Sequence, residues 1–163
     1  SNANIMIADG TYTLATGDDG VHADDALTVN GGTITVTESY EGLEGLTVTI
    51  NDGTIDITAR DDGVNAAGEK MELNGGYIHI LAGGDGVDSN GDLTINGGEV
   101  LMVKLVEQME AGDVVLTDSE GNVIVSYTAL KSYDCVIIST AEVESGATYT
   151  LTTSGTTTEV TAE

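Results

Sequence analysis

The chain of 163 residues carries 28 Asp and Glu against 4 Lys and Arg, which gives a formal net charge of -24 at pH 7. This charge repels nucleic acid and anionic membranes, and no apolar run is long enough to cross a membrane, so we expect metal ions as partners. Proline, tryptophan and phenylalanine are absent and glycine is abundant, a composition that favours short strands and tight turns over helices.

The first residues divide into the remnant of an affinity tag and a candidate N-terminal cap. Residues 1–3 match the scar that cleavage of an affinity tag leaves, and they are excluded from the fold. Residues 4–16 contain two short strand candidates, at 5–7 and 12–14. We expect these strands to cover the open first coil of the structure that follows, because an uncovered end exposes apolar core and unpaired backbone.

A segment of about 22 residues recurs four times from Asp18 onward. Its first copy, residues 18–37, combines an Asp-Asp-Gly turn, stretches of alternating apolar residues and an Asn-Gly-Gly corner. The corner asparagines of the four copies are Asn30, Asn51, Asn74 and Asn96. A fixed period of this size indicates a repeat architecture in which stacked copies share one continuous core.

The alternation within each copy predicts strands with one buried and one wet face, as at Leu27 and Val29. Three short strands broken by tight corners suit one coil of a parallel β-helix, an all-β solenoid whose coils lie ~4.8 Å apart. The leucine-rich repeat, the rival at this period, needs the pattern L-x-x-L-x-L-x-x-N, which is missing. Stacking turns equivalent positions into ladders, and we expect the corner asparagines to bond one another through their amides.

The repeat pattern ends after Val103, because residues 104–110 break the period. Four further strand candidates follow with turn signals between them, at residues 114–117, 123–127, 136–139 and 148–151. We therefore divide the domain into the β-helix coils with their N-terminal cap, residues 4–103, and a β-rich C-terminal part, residues 104–163. This second part either continues the β-helix or folds across its end as a cap.

Acidic residues recur in register with the repeat. One stands directly before Gly20, Gly42, Gly63 and Gly86, one glycine in each copy, and His22, Glu44, Asn65 or Asp88 follows that glycine by two positions. The candidate metal ligands on this edge are Asp18, Asp19, Asp24, Glu41, Glu44, Asp61, Asp62, Asp85 and Asp88. Two unit charges ~4.8 Å apart repel by about 1 kcal/mol in water, so a bare column of carboxylates is costly.

A bound cation reverses the sign of this interaction. Calcium takes about six to eight oxygen ligands and accommodates carboxylates at strand spacing. Zinc prefers nitrogen and sulfur ligands and magnesium demands tighter octahedral geometry, so we predict calcium. A fully solvated acidic edge is the alternative. His22 either ligates a metal or is a neighbour whose pKa the surrounding acids raise.

The chain combines repeated Asp-Gly-Val-x-Ala and Leu-Thr-Val-Asn-Gly-Gly-Thr-Ile-Thr-Val segments with Ser-Tyr-Thr-Ala-Leu-Lys-Ser-Tyr at 126–133 and Gly-Ala-Thr-Tyr-Thr-Leu at 146–151. These motifs, over roughly residues 9–152, resemble the clostridial β-helical carbohydrate-binding domain family. The resemblance implies a right-handed parallel β-helix, similar in fold to calcium-dependent pectate lyases. It also implies a protein that is secreted or attached to the cell surface, binds calcium in its acidic turns and binds polysaccharide, including acidic sugars. Tyr40-Glu41-Gly42 and Gly84 depart from the pattern and predict altered metal sites there.

We therefore expect a non-catalytic, calcium-binding protein of the bacterial surface that binds plant cell-wall or acidic polysaccharides. Tyr40 and Tyr77 offer amphipathic faces to sugar rings, and Arg60 is the third candidate for carbohydrate binding. A calcium-dependent lyase needs a Lys or Arg base beside the metal, and only Arg60 lies near the acidic edge, where we expect it to pair with carboxylates. A structural β-helical spacer or adhesin stalk is the strongest alternative.

Overall fold

The computed structural model describes residues 3–97, 100–129, 131–140 and 142–162, and all of its regular elements are strands. These residues fall into two compact units that divide after Gly97. None of the described residues lies in a helix that is long and apolar enough to cross a membrane.

The first unit is a parallel β-solenoid of about four turns, as the repeat predicts. Its strands are β1 (Ile5–Ile7), β2 (Thr11–Ala15), β3 (Val21–Val29), β4 (Thr33–Glu38), β5 (Leu43–Ile50), β6 (Thr54–Ala59), β7 (Val64–Leu73), β8 (Tyr77–Ala82), β9 (Val87–Ser89) and β10 (Asp92–Ile95). One sheet has the order β1-β3-β5-β7-β10, with β9 also on β7, and the other has the order β2-β4-β6-β8. Strands β1 and β2 pair with β3 and β4, so residues 4–16 cover the first copy of the repeat.

The register stacks equivalent residues of successive copies and builds the core from them. Leu27 pairs with Val48 and Val48 with Met71, while Ile34 pairs with Ile55 in the other sheet. All five side chains are fully buried. Because each strand presents alternate residues to the interior, every coil buries its apolar set against the coils above and below.

The corner asparagines form the expected ladder. Asn51 Nδ2 donates to Asn30 Oδ1 at 2.7 Å, and the same bond joins Asn74 to Asn51 and Asn96 to Asn74, each at 2.8 Å. The corner also needs glycine, because Gly32 has a φ of +94° and a Cβ there would lie 2.7 Å from the carbonyl oxygen of Gly10. The ladder therefore joins the corners of successive coils through their side-chain amides.

The second unit contains β11 (Val100–Met109), β12 (Gly112–Thr117), β13 (Val123–Ala129), β14 (Tyr133–Ser139), β15 (Thr148–Thr153) and β16 (Thr156–Thr161). Strand β11 pairs with β14, and the other four form a sheet in the order β13-β12-β15-β16. Every described pairing in this unit is antiparallel, so it does not continue the parallel coils. Its own core includes Leu116, Val143 and Leu151, which are fully buried.

The fourth copy of the repeat differs from the sequence prediction in its last strand. The sequence places residues 99–103 in a coil, but the structure makes residues 100–103 the start of the long strand β11, and Val100 pairs with Ser139. Gly98 and Glu99 lie outside the described residues. The physical reason is that the backbone of β11 forms its hydrogen bonds with β14 in antiparallel register, and an alternating apolar stretch fits that pairing as well as it fits a coil.

Candidate functional site

Two columns of polar side chains run along one edge of the solenoid, and we call them the acidic edge. Gly20, Gly42, Gly63 and Gly86 stack from coil to coil, and we call them the ladder glycines. The first column consists of the residues directly before them: Asp19, Glu41, Asp62 and Asp85. The second column pairs residue by residue in the sheet register: His22, Glu44, Asn65 and Asp88. The recurrence of acids in the sequence is therefore a spatial alignment in the structure.

Tightly packed glycines hold the two columns at this spacing. A Cβ on Gly42 would lie 2.3 Å from the carbonyl oxygen of Gly63 and 2.5 Å from Cγ2 of Ile57. Real Cβ atoms do not approach other atoms so closely, so a side chain at this position would push the coils apart. Because Gly42 has no side chain, the coils stack closely and Glu41 and Glu44 keep their places in the two columns.

Asn65 joins the second and third coils of the acidic edge. Its Nδ2 donates to both Oε1 and Oε2 of Glu41, at 3.1 Å each. The side chain is buried, with 9% of the residue exposed, and its Oδ1 has no hydrogen-bond partner among the described residues. A buried acceptor without a partner costs about 1–3 kcal/mol, and a cation is one group that would satisfy it. The sequence placed Asn65 in this column but did not name it as a ligand.

Burial raises the pKa values of the carboxyl groups beside Asn65. Partial burial raises the pKa of Glu41, and partial burial together with the nearby charges of Asp61, Asp88 and Asp85 raises the pKa of Asp62. The backbone N–H of Asp85 donates to Oδ1 of Asp62 at 2.6 Å and fixes that carboxylate. These acids thus lie close enough to disfavour one another's ionised forms, which is the condition a cation relieves.

His22 lies among acids at the first coil. Its Nδ1 is 2.9 Å from Oδ2 of Asp19 and contacts Oε2 of Glu44, and its Nε2 is 3.5 Å from Oδ1 of Asp24. The contact with Asp19 raises the pKa of His22, as the sequence led us to expect, and burial raises the pKa of Glu44. One ligand atom each from Asp19, His22 and Glu44 lies within 4.8 Å of the other two.

Asp18 and Asp61 lie in a further column, on either side of Tyr40. The backbone N–H of Tyr40 donates to the carbonyl of Asp18, and that of Asp61 donates to the carbonyl of Tyr40, both at 2.9 Å. Gly84 continues this column in the fourth coil, where no carboxylate is available. The two acids therefore flank the acidic edge, and the second and fourth coils, with Tyr40 and Gly84, lack an acid at this position.

Arg60 packs on Tyr40, and the prediction that it pairs with carboxylates is wrong. Its Cζ lies 6.0 Å from the centre of the Tyr40 ring. Its Nη2 donates to the carbonyl oxygen of Gly17 at 2.8 Å and its Nε to that of Ser39 at 3.3 Å. No carboxylate forms an ion pair with Arg60 in the part of the chain that the structure describes. The cause is that backbone carbonyl oxygens of preceding coils, those of Ser39 and Gly17, hold the guanidinium instead.

The three residues predicted to bind carbohydrate do not form one site. Tyr40 follows the carboxyl end of β4 and lies beside Arg60, with 47% of the residue exposed. Tyr77 opens β8 at the other end of the same parallel sheet, opposite Thr54, and is 56% exposed. A strand of six residues spans roughly 20 Å, so Tyr77 is too far away to share a sugar ring with Tyr40.

Comparison with known proteins links the first quarter of the chain to carbohydrate binding. A family model described as Carbohydrate-binding domain-containing protein matches residues 1–42. The matched stretch includes the first four strands, Asp19 and His22, and it ends at Tyr40, Glu41 and Gly42. No curated protein and no solved structure shows significant similarity to the chain. The first unit is a β-solenoid. The match supports a sugar or polysaccharide as the partner of this chain in a binding role.

Proposed function

We propose that this chain is a non-catalytic polysaccharide-binding domain that uses calcium on its acidic edge and binds acidic glycans beside Tyr40 and Arg60. The observation that carries the proposal is the Arg60 guanidinium, which is stacked on an exposed tyrosine and has no carboxylate partner among the described residues. In a chain with 28 acidic and 4 basic residues, an arginine in this state is available to an anionic ligand.

The chemistry of the pair suits a uronic acid. An exposed tyrosine ring offers an apolar face to a sugar ring, and a guanidinium binds carboxylate through paired N–H groups. Two carbonyl oxygens hold the Arg60 side chain through Nε and Nη2, so its orientation is fixed before a ligand arrives. Its remaining N–H groups are left for the ligand, and little side-chain entropy is lost on binding.

The donor set of the acidic edge fits calcium. Glu41, Asp62, Asn65, Asp85 and Asp88 would hold the ion, and all of them offer oxygen, which is the ligand that calcium prefers. The buried Oδ1 of Asn65, which lacks a partner among the described residues, supports this fit. When bound, calcium neutralises the carboxylates and can bridge them to a uronate of the glycan.

The proposal also covers the location of the protein and the class of polysaccharide that it binds. The resemblance of the repeat to clostridial β-helical carbohydrate-binding domains supports a secreted or surface-attached protein that meets plant cell-wall or other acidic polysaccharides. The family model that matches residues 1–42 supports the sugar-binding role alone.

A glycan array with calcium, repeated with a strong chelator, tests the proposal. We expect acidic polysaccharides to bind with calcium and to be released by the chelator. An array without any bound glycan would favour a structural spacer instead. Incubation with polygalacturonate, followed by ultraviolet absorbance of unsaturated products, tests the non-catalytic role, and growth of that absorbance would contradict it.

A further inference from the structure

We infer that Asp19, His22 and Glu44 form a site for a divalent transition metal of the zinc class, separate from the calcium ligands proposed above. The first observation is convergence, since Nδ1 of His22 faces Oδ2 of Asp19 at 2.9 Å and also contacts Oε2 of Glu44. The three atoms lie within 4.8 Å of one another, so small side-chain movements bring all of them to the bond lengths of zinc, about 2.0–2.2 Å. This inference does not depend on the carbohydrate ligand.

A single imidazole hydrogen satisfies this arrangement less fully than a metal ion does. Nδ1 of His22 carries at most one hydrogen, yet it faces carboxylate oxygens of two different residues. Both carboxylates are largely withdrawn from water, with 12% of the Asp19 side chain and 17% of the Glu44 side chain exposed. An ion between them accepts a lone pair from all three groups at once, whereas one N–H is directed at a single oxygen.

The groups around the site orient its ligands. Oδ1 of Asp19 accepts the backbone N–H of Glu41 at 3.3 Å, which leaves Oδ2 directed at His22. The second ring nitrogen of His22, Nε2, lies 3.5 Å from Oδ1 of Asp24. A carboxylate on the far nitrogen of a metal-binding histidine holds its hydrogen there and turns the lone pair of the near nitrogen to the metal.

The ligand types set this site apart from the rest of the acidic edge. At the position of His22 the next three coils carry Glu44, Asn65 and Asp88, which offer oxygen alone. Imidazole together with carboxylates suits zinc and its neighbours among the transition metals, whereas calcium gains little from a nitrogen ligand. The 47% exposure of the His22 side chain leaves room for water to complete the shell.

Titration of zinc into the chelator-treated chain, in a buffer that holds millimolar calcium, tests the assignment. We expect one zinc ion to bind tightly despite the calcium. We expect His22→Gln to weaken zinc binding by at least about tenfold and to leave calcium binding unchanged. Cobalt in place of zinc should give visible absorption bands that the His22→Gln chain lacks.

The chain offers a matched control in His79. Its Nδ1 lies 3.0 Å from Oδ1 of Asp56 and its side chain is 45% exposed, much as His22 lies beside Asp19, but His79 is not part of the three-ligand group that the described residues form. His79→Gln should bind zinc as the wild type does. Equal zinc affinity in wild type and His22→Gln, a loss in His79→Gln instead, or displacement of zinc by equimolar calcium would each overturn the inference. Glu44→Gln, with the same expected loss of zinc, replaces His22→Gln if circular dichroism shows that chain unfolded.

Discussion

Asn65 Nδ2 donates to both oxygens of the Glu41 carboxylate, while its own buried Oδ1 has no partner among the described residues. The pair joins two coils of the solenoid, and it connects fold and site, because the residue that holds Glu41 in place also offers an oxygen to a cation. A buried acceptor without a partner costs about 1–3 kcal/mol of free energy, and a cation bound to Oδ1 would recover that amount.

Asn65→Ala is expected to weaken calcium binding roughly tenfold, since it removes one ligand and the hydrogen bonds that orient Glu41. The metal-free chain should keep its stability to within about 1 kcal/mol, because the lost bonds are offset by removal of the unsatisfied Oδ1. Calorimetric titration with calcium and denaturant unfolding in chelator measure the two effects. Asn96→Ala, at the exposed end of the corner ladder, is the control, and an equal loss of calcium affinity there would contradict the prediction.

Gly42→Ala is expected to destabilise the solenoid by about 1–3 kcal/mol, because the added Cβ would lie 2.3 Å from the carbonyl oxygen of Gly63. Displacement of the coils should also weaken calcium binding at Glu41. Gly86→Ala is the matched control, since Gly86 continues the same ladder in the fourth coil and a Cβ there meets nothing within 4 Å. Thermal unfolding of both variants measures the difference, and equal melting temperatures would refute the packing argument.

The repeat could be predicted from the sequence because each position of the coil recurs at a fixed offset from a glycine. The same regularity predicted the acidic edge, since Asp19 and Asp62 precede equivalent ladder glycines. Strand β11 could not be placed, because alternating apolar residues suit a parallel coil and an antiparallel pair equally well. Its partner, β14, lies far away in sequence, so local sequence patterns do not predict that Val100 pairs with Ser139.

The surroundings of individual site residues were also beyond the sequence. Arg60 directly precedes Asp61 and Asp62 along the chain, but the direction of its side chain depends on the carbonyl oxygens of Gly17 and Ser39 in other coils. The burial of Asn65 likewise depends on Glu41, which lies in the preceding coil. The spacing of the repeat predicts which groups lie near one another, whereas the geometry of their contacts arises only when the coils stack.

The metal-free chain should be most stable in mild acid and should lose stability as the pH rises toward alkaline values. The pKa values of Glu41, Glu44 and Asp62 are raised above their ordinary values chiefly by burial, and that of His22 is raised above 6.5 chiefly by its contact with Asp19. A group whose folded-state pKa is raised contributes stability below its unfolded pKa, and that contribution is lost as the pH rises through the folded pKa. Denaturant unfolding in chelator at about pH 5 and about pH 8 measures this. Greater stability at the higher pH would be the contrary result.

Calcium should reverse that loss at alkaline pH by binding the folded state. At a concentration of 100 times its dissociation constant, a ligand stabilises by about 2.7 kcal/mol, and the melting temperature should rise with calcium concentration. Asp62→Asn should abolish most of this rise, because it removes a carboxylate from the centre of the acidic edge. Glu159→Gln, the same loss of charge at an exposed position on β16, should leave the rise intact. A rise of equal size in both variants would indicate general screening of charge.

The dissociation constant for polygalacturonate, measured with and without calcium, tests the central claim most directly. The account predicts calcium-dependent binding that Arg60→Gln or Tyr40→Ala weakens by about three- to tenfold, since stacked aromatic contacts contribute about 0.5–1.5 kcal/mol. Tyr77→Ala, which removes an equally exposed ring at the other end of the sheet, should bind as the wild type does. Binding that survives the chelator, or that Tyr77→Ala weakens as much as Tyr40→Ala does, would contradict the account.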